Sequence, residues 1–316
     1  MAQVLAGLRR YQAMPPQAPR ASRPLVASCG NVALRDYGNG RGGPLVVIVP
    51  SMINPPTVLD LAPGNSLLAG LAAAGLRPLL MEWGAPEEAG LAEMIETRLV
   101  PLLAGLGEPV ALAGYCLGGT LALAAASLLE EKVSRLALLA TPWHFSGYGD
   151  AAAAGLADWW QSAGPLAETL GVLPMDLLQP AFWSLDGDSL AAKYARFATM
   201  PDGPEAEAFT VLEDWTNTGQ PLSLAAAREL AETLFQNDAP GHGNWRVGGR
   251  KVRPEALAIP ILDIIALRDK IVPPGAALTT SGPGKPLALD AGHVGMVVGG
   301  RAPRMLWEPL ADFLRS

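Results

Sequence analysis

Short apolar runs alternate with helical spacings over two stretches of the chain. Between those stretches only helical spacing persists. Residues 45–49 are apolar and largely β-branched throughout, as a strand buried on both faces requires. Residues 32–37, 77–83, 109–113, 135–140, 259–267 and 286–290 read as further strands. Helices are expected at 66–74, capped by Asn65 and stopped by Gly75, and again at 120–130 and 303–315. From Leu91, the residues Met94, Ile95, Leu99 and Leu102 recur at helical spacing, and Pro101 should kink or end that helix early. The first 30 residues, rich in Pro15, Pro16, Pro19 and Pro24, read as a short helix and an extended lead-in. The glycine-rich stretch 38–43 precedes a strand and lacks phosphate-loop spacing, so it reads as a turn. Strand–helix alternation of this kind predicts a mostly parallel sheet with right-handed crossovers, flanked by helices.

The alternation stops after Thr141-Pro142. Residues 143–255 carry helical patterns at 154–162, 166–170, 190–197, 204–215 and 222–235, with no clear strands. Six of the eight tryptophans fall there: Trp143, Trp159, Trp160, Trp183, Trp215 and Trp245. An insertion between core strands, at the ligand-binding edge of a parallel sheet, reads as a mobile aromatic-lined cap. The expected organisation is an N-terminal extension (1–30), a first core segment (31–142), a helical cap (143–255) and a second core segment (256–316).

Composition narrows the function classes. A net charge of −7 with no Lys/Arg run argues against a nucleic-acid partner. No apolar run reaches the roughly 18–20 residues of a membrane span, and Arg9 and Arg10 follow rather than precede the apolar N-terminal stretch, the reverse of a signal peptide. Cys29 and Cys116 make no disulfide framework. The expected location is cytoplasmic. Only 17% of residues are charged, which leaves room for an apolar patch covered by a homodimer partner or a second subunit.

The chemistry centres on Gly114-Tyr115-Cys116-Leu117-Gly118-Gly119. A Gly-bounded turn between strand and helix is the layout of a nucleophile elbow, here with cysteine in the usual place of serine. At a helix N-terminus a thiolate is favoured. Asp269 follows the next-to-last strand and His293 the last, so nucleophile, acid and histidine run in the chain order of an α/β-hydrolase. Asp263 and Asp290 compete for the acid role, and His144 and His242 for that of the base. The Leu117 N–H is one candidate oxyanion donor, and the backbone of Ser51 or Met52 the second. Tyr115, Trp143 and Ile53 are candidate substrate contacts. No Cys/His pair has metal-ligand spacing, so neither metal nor cofactor is expected.

The box Gly114–Thr120 resembles that of polyhydroxyalkanoate synthases, and dienelactone hydrolases carry nearly the same box. The stretch from Val49-Pro50-Ser51-Met52-Ile53-Asn54 through Leu59-Asp60-Leu61-Ala62-Pro63-Gly64-Asn65-Ser66-Leu67 is similar to the synthases' "PP-x-IN…ILDL-x-P-x-NSL" segment. Leu139-Ala140-Thr141-Pro142 with Phe145-Ser146, Asp269-Lys270-Ile271-Val272-Pro273 and Gly292-His293-Val294 also resemble synthase segments. The likeness covers residues 45–145 and 255–298 and is weaker in the cap. It implies an α/β-hydrolase core with Cys116, Asp269 and His293 in the catalytic places. It also implies transfer of 3-hydroxyacyl groups from a CoA thioester, through an acyl-cysteine, to a growing polyester, with polyester granules as a site of action. In size the chain is closer to the short synthases that work with a second subunit, and His144 stands where they usually carry aspartate. A cysteine hydrolase of esters, thioesters or lactones, and a catalytically weak granule- or partner-binding relative, are the competing readings.

Overall fold

The computed structural model describes residues 2–15, 21–38, 40, 42–184 and 187–316. Pro16, Pro19, Asn39, Arg41 and the Trp183 side chain lie outside the described residues. Eight strands form the main sheet: β1 (Leu25–Cys29), β2 (Val32–Asp36), β3 (Leu45–Val49), β4 (Arg77–Glu82), β5 (Val110–Tyr115), β6 (Val133–Leu139), β7 (Ile261–Ala266) and β8 (Lys285–Leu289). Their spatial order is β1-β2-β4-β3-β5-β6-β7-β8. From β4 to β8 all neighbours run parallel, whereas β1 and β2 pair antiparallel at one edge and β2 meets β4 antiparallel.

Helices cover both faces because the central strands send alternate residues to each. Val47, Val49, Leu112 and Leu138 pack on one side with the helical run α3 (91–105) and with α4 (Leu117–Leu128). Val46, Ile48, Ala113 and Leu139 pack on the other with α2 (Leu67–Ala73) and the C-terminal helical run (303–315). Each Val, Leu or Ile side chain so buried is worth about 1.5–3 kcal/mol.

Three local expectations need correction. Ser66, not Asn65, caps α2: its hydroxyl accepts from Ala69 N at 3.0 Å, while Asn65 Nδ2 donates to Val298 O at 3.0 Å. Pro101 does not stop α3. The helix widens to a π-turn at Ile95–Leu99 before it, and the Thr97 carbonyl that a proline cannot bond accepts instead from Arg98 Nη1 and Cys29 Sγ. The lead-in before residue 30 contains β1, an edge strand whose exposed Leu25 and Val26 hid the alternation.

The segment between β6 and β7 carries α5 (Asp150–Leu170), α6 (Met175–Ser184), α7 (Gly187–Phe197), α8 (Pro204–Thr216) and the helical run α9 (224–236). The two patterns expected at 154–162 and 166–170 are one helix that continues through Pro165. The helix α6 went unpredicted, and two-residue ladders at Val172–Leu173/Leu222–Ser223 and Arg246–Val247/Arg250–Lys251 fall where no strand was read. The buried Asp238 ties the ends of the segment together: Oδ1 accepts from Phe145 N at 2.8 Å and Oδ2 from Ser146 N at 3.0 Å. Among the described residues, no helix is long and apolar enough to cross a membrane.

Candidate active site

Cys116 sits between the end of β5 and the first residue of α4, with φ 55° and ψ −133°. That left-handed backbone is costly for a side-chain-bearing residue and persists because its surroundings enforce it. Cys116 N donates to Leu139 O at 2.9 Å, and Gly119 N donates back to Cys116 O at 2.9 Å. The glycines permit the close approaches. A Cβ on Gly114 would lie 2.3 Å from Gly119 Cα, and one on Gly118 would lie 2.2 Å from Val49 O. The first turn of α4 therefore packs directly on the loop that follows β3, which contains Ser51 and Met52. Leu117 N–H, in that first turn, has no partner within its own helix.

The acid and the histidine are held as rigidly. Leu267 N donates to Leu289 O at 2.8 Å and Arg268 N to Ala291 O at 2.9 Å, which lace the loops after β7 and β8 together. Asp269 Oδ1 accepts from Ile271 N and Val272 N, each at 2.8 Å, leaving Oδ2 for His293 Nδ1 at 2.6 Å. Both side chains are buried. Cys116 lines the same cavity as His293, close enough to act electrostatically on the imidazole. Burial alone would discharge His293. The Cys116 charge, then the hydrogen bonds from Asp269 and Cys116 and the charge of Asp269, outweigh it and raise the pKa from 6.5 to about 10. Tyr115 lies against this pair, its ring 5.0 Å from that of His293 and its hydroxyl donating to His293 O at 3.3 Å. Burial, then the charges of Cys116 and Asp269, push the Tyr115 phenol well above its usual range, so it stays neutral.

The sign of the His293 shift sets a pH dependence. A raised folded-state pKa stabilises the fold fully below pH 6.5, and that contribution is lost as pH rises to about 10. The stability advantage of the wild type over His293→Gln is therefore expected to be largest in mild acid and to shrink steadily toward pH 10 in denaturant titrations. An advantage that grows across that window would reverse the assignment.

The competing residues are engaged elsewhere. Asp263 is buried within β7, and its Oδ2 accepts from Thr279 N and Oγ1, both at 2.8 Å. Asp290 is exposed and pairs with Arg268 at 2.9 Å and Arg301 at 3.7 Å. His144 Nε2 lies 3.2 Å from Leu278 O and 3.1 Å from Ser281 Oγ. His242 is exposed, with Nδ1 3.1 Å from Asn237 O.

Cys116 and His293 open into a cavity of about 290 Å³. Ser51, Ile53 and Tyr115 line it, with Pro50, Asn54, Pro55 and Val58 from the loop after β3. Met175, Gln179, Leu190, Lys193, Trp215 and Thr216 supply the wall from the helical segment, and Ile271 and Val294 flank the acid and histidine loops. Trp143 is not among these residues. It is 2% exposed and packs edge-on against Trp245, its ring 6.3 Å away, so it is a core residue rather than a substrate contact. Met52 is half-buried and lines a separate recess with Trp83 and Met94. Of the described tryptophans in the segment, Trp215 alone lines the cavity, with Nε1 donating to Pro55 O at 2.8 Å. Trp160 and Trp245 instead bond Glu232 and Glu229. Lys193 and Gln179 carried no sequence signal, because their helices' polar positions look like any solvated face.

Residues 84–282 match the family model described as "alpha/beta hydrolase fold". The chain is 30% identical over 314 residues to the poly(3-hydroxyalkanoate) polymerase subunit PhaC of Allochromatium vinosum, covering 92% of this chain and 87% of that one. It is 29% identical to the subunit of the same name from Thiocystis violacea, covering 86% and 80%. Among solved structures, a thermophilic esterase from Thermogutta terrifontis aligns with a TM-score of 0.52 at 18% identity over 94% of this chain and 98% of that one. A Paleococcus ferrophilus monoacylglycerol lipase aligns with a TM-score of 0.54 at 17% identity over 89% and 98%. At such identities the two structures share the fold alone.

Proposed function

Since this chain belongs to the α/β-hydrolase fold family and, within it, to the poly(3-hydroxyalkanoate) polymerase PhaC subunits, we propose that it transfers 3-hydroxyacyl groups from a CoA thioester through Cys116 to a hydroxyl acceptor. The observation that carries this reading is the Cys116–His293–Asp269 array opening into a mainly apolar cavity.

The chemistry follows from that array. The Cys116 thiolate attacks the thioester carbonyl, and the oxyanion is held by the Leu117 N–H and the backbone at Ser51 or Met52. The carbon–sulfur bond to CoA breaks, and the leaving thiolate takes the proton from His293. Thiol-to-thiol exchange is nearly thermoneutral, so the acyl-cysteine can wait for an acceptor. His293 then removes the proton of an incoming hydroxyl, whose oxygen displaces Cys116 as thiolate. Asp269 keeps the imidazole in the tautomer that both steps use. The acceptor is the hydroxyl end of a growing polyester, in the cytoplasm at a granule surface, and the partner is a second subunit of the kind the relatives' name implies. CoA enters as substrate, and no cofactor takes part.

The fate of the acyl group tests this reading. With 3-hydroxybutyryl-CoA, CoA release is expected to be accompanied by a long-lived acyl-enzyme and by oligomeric ester. Stoichiometric free 3-hydroxybutyrate, without oligomer, would make the protein a hydrolase.

A further inference from the structure

The N-terminal helix α1 (Ala2–Gln12) packs on the helical segment above the sheet, along α7. The approach is close. A Cβ on Gly7 would lie 1.8 Å from Tyr194 O, so no other residue fits there without displacing one helix. Arg10 supplies the polar contact: its guanidinium donates to Phe197 O at 2.6 Å and to Met200 O, pairs with Asp202 at 2.7 Å, and stacks 4.6 Å over the Phe197 ring. A cation on the last carbonyls of a helix is favourably placed for the helix dipole. Tyr11 donates to Asp214 Oδ1 at 2.8 Å and accepts from Asn217 Nδ2 at 3.3 Å, which joins α1 to α8 as well.

From these contacts a polar chain leads to the cavity. The Tyr11 ring lies 6.1 Å from that of Tyr194. Tyr194 donates to Glu213 Oε2 at 2.8 Å, and Lys193 Nζ donates to Glu213 Oε1 at 2.7 Å. Glu213 is 3% exposed, so its charge must be matched by these two donors. Lys193 on α7 and Trp215 on α8 are both cavity-wall residues. We infer that α1 is a clamp on this wall: it joins α7 to α8 and sets the position of Lys193 and Trp215 opposite Cys116. Its residues are positioning residues, and they act on substrate binding rather than on the thiolate–imidazole chemistry.

Only the substrate-binding part of this inference rests on the acyl-transfer reading, so the test has two arms. Full-length Gly7→Leu, which must push the helices apart, and the milder Arg10→Ala and Tyr11→Phe are compared with wild type. Hydrogen exchange of residues 190–216 is expected to accelerate about tenfold or more in Gly7→Leu, and less in the milder variants, while residues 110–128 keep their protection. Iodoacetamide modification of Cys116 should keep its wild-type rate. With 3-hydroxybutyryl-CoA, KM should rise about tenfold with kcat within about twofold, the signature of lost uniform binding. Unchanged exchange at 190–216 in Gly7→Leu would overturn the clamp whatever the substrate proves to be. Accelerated exchange with unaltered KM would overturn its link to binding. Accelerated exchange in a protein that turns over no hydroxyacyl-CoA would support the clamp and count against the acyl-transfer reading alone.

Discussion

Cys116→Ala is expected to abolish measurable thioester turnover while the protein folds as before. The thiol is the only atom set lost, and the φ of 55° that burdens any side chain at this turn is no worse for alanine than for cysteine. Catalysis through a covalent intermediate is lost once the nucleophile is gone, and losses of about 10⁴–10⁶ in kcat are the usual scale for such a unit. The matched control is Cys29→Ala. Cys29 lies on an edge strand with Sγ 3.4 Å from Thr97 O, a weak contact on the far side of β2 and β4 from the elbow. Its loss should change neither turnover nor the melting temperature by more than a few degrees, as a thermal melt would show. A dead Cys29→Ala protein with an active Cys116→Ala protein would exchange the roles.

The second large effect is expected at the His293–Asp269 pair. In the proposed mechanism, His293→Gln removes the group that takes the proton from the acceptor hydroxyl and returns one to the leaving thiolate. Acylation measured by stopped-flow release of CoA should slow by about 10³–10⁴. Asp269→Asn keeps the shape but cannot both accept from Ile271 N and Val272 N and hold the His293 proton in place, so a loss of about 10²–10⁴ is expected there too. The same substitutions at His144 and His242, which bond carbonyl or hydroxyl groups elsewhere, should be mild. In Cys116→Ala, moreover, the His293 imidazole loses the largest influence raising its pKa, and its NMR titration midpoint should fall from about 10.

The parallel strands were legible because strands buried on both faces are near-continuous apolar runs: β3 and β5 are of that kind, β6 keeps such a run at 136–139, and β7 is apolar on either side of Asp263. The order of Cys116, Asp269 and His293 was legible because strand ends can be counted along the chain. What escaped detection depends on contacts between distant segments. Residues of β1 are partly exposed, so no burial pattern marks that strand. Trp143 looked like a cavity residue because it follows the sheet edge in sequence, yet its ring turns into the core against Trp245. Lys193 lines the cavity with its Nζ bonded to Glu213, a pairing across 20 residues that no local spacing announces. The docking of α1 on α7 is further still from sequence view, since it depends on Gly7 meeting the Tyr194 carbonyl and on Arg10 reaching Phe197 O, across more than 180 residues of chain.

Intact-protein mass spectrometry after brief incubation with 3-hydroxybutyryl-CoA tests the central claim most directly. Wild type should gain the mass of one 3-hydroxybutyryl group, located by peptide mapping on Cys116, and Cys116→Ala should gain none. An acyl group on any other residue, or an equal adduct on Cys116→Ala, would contradict the account.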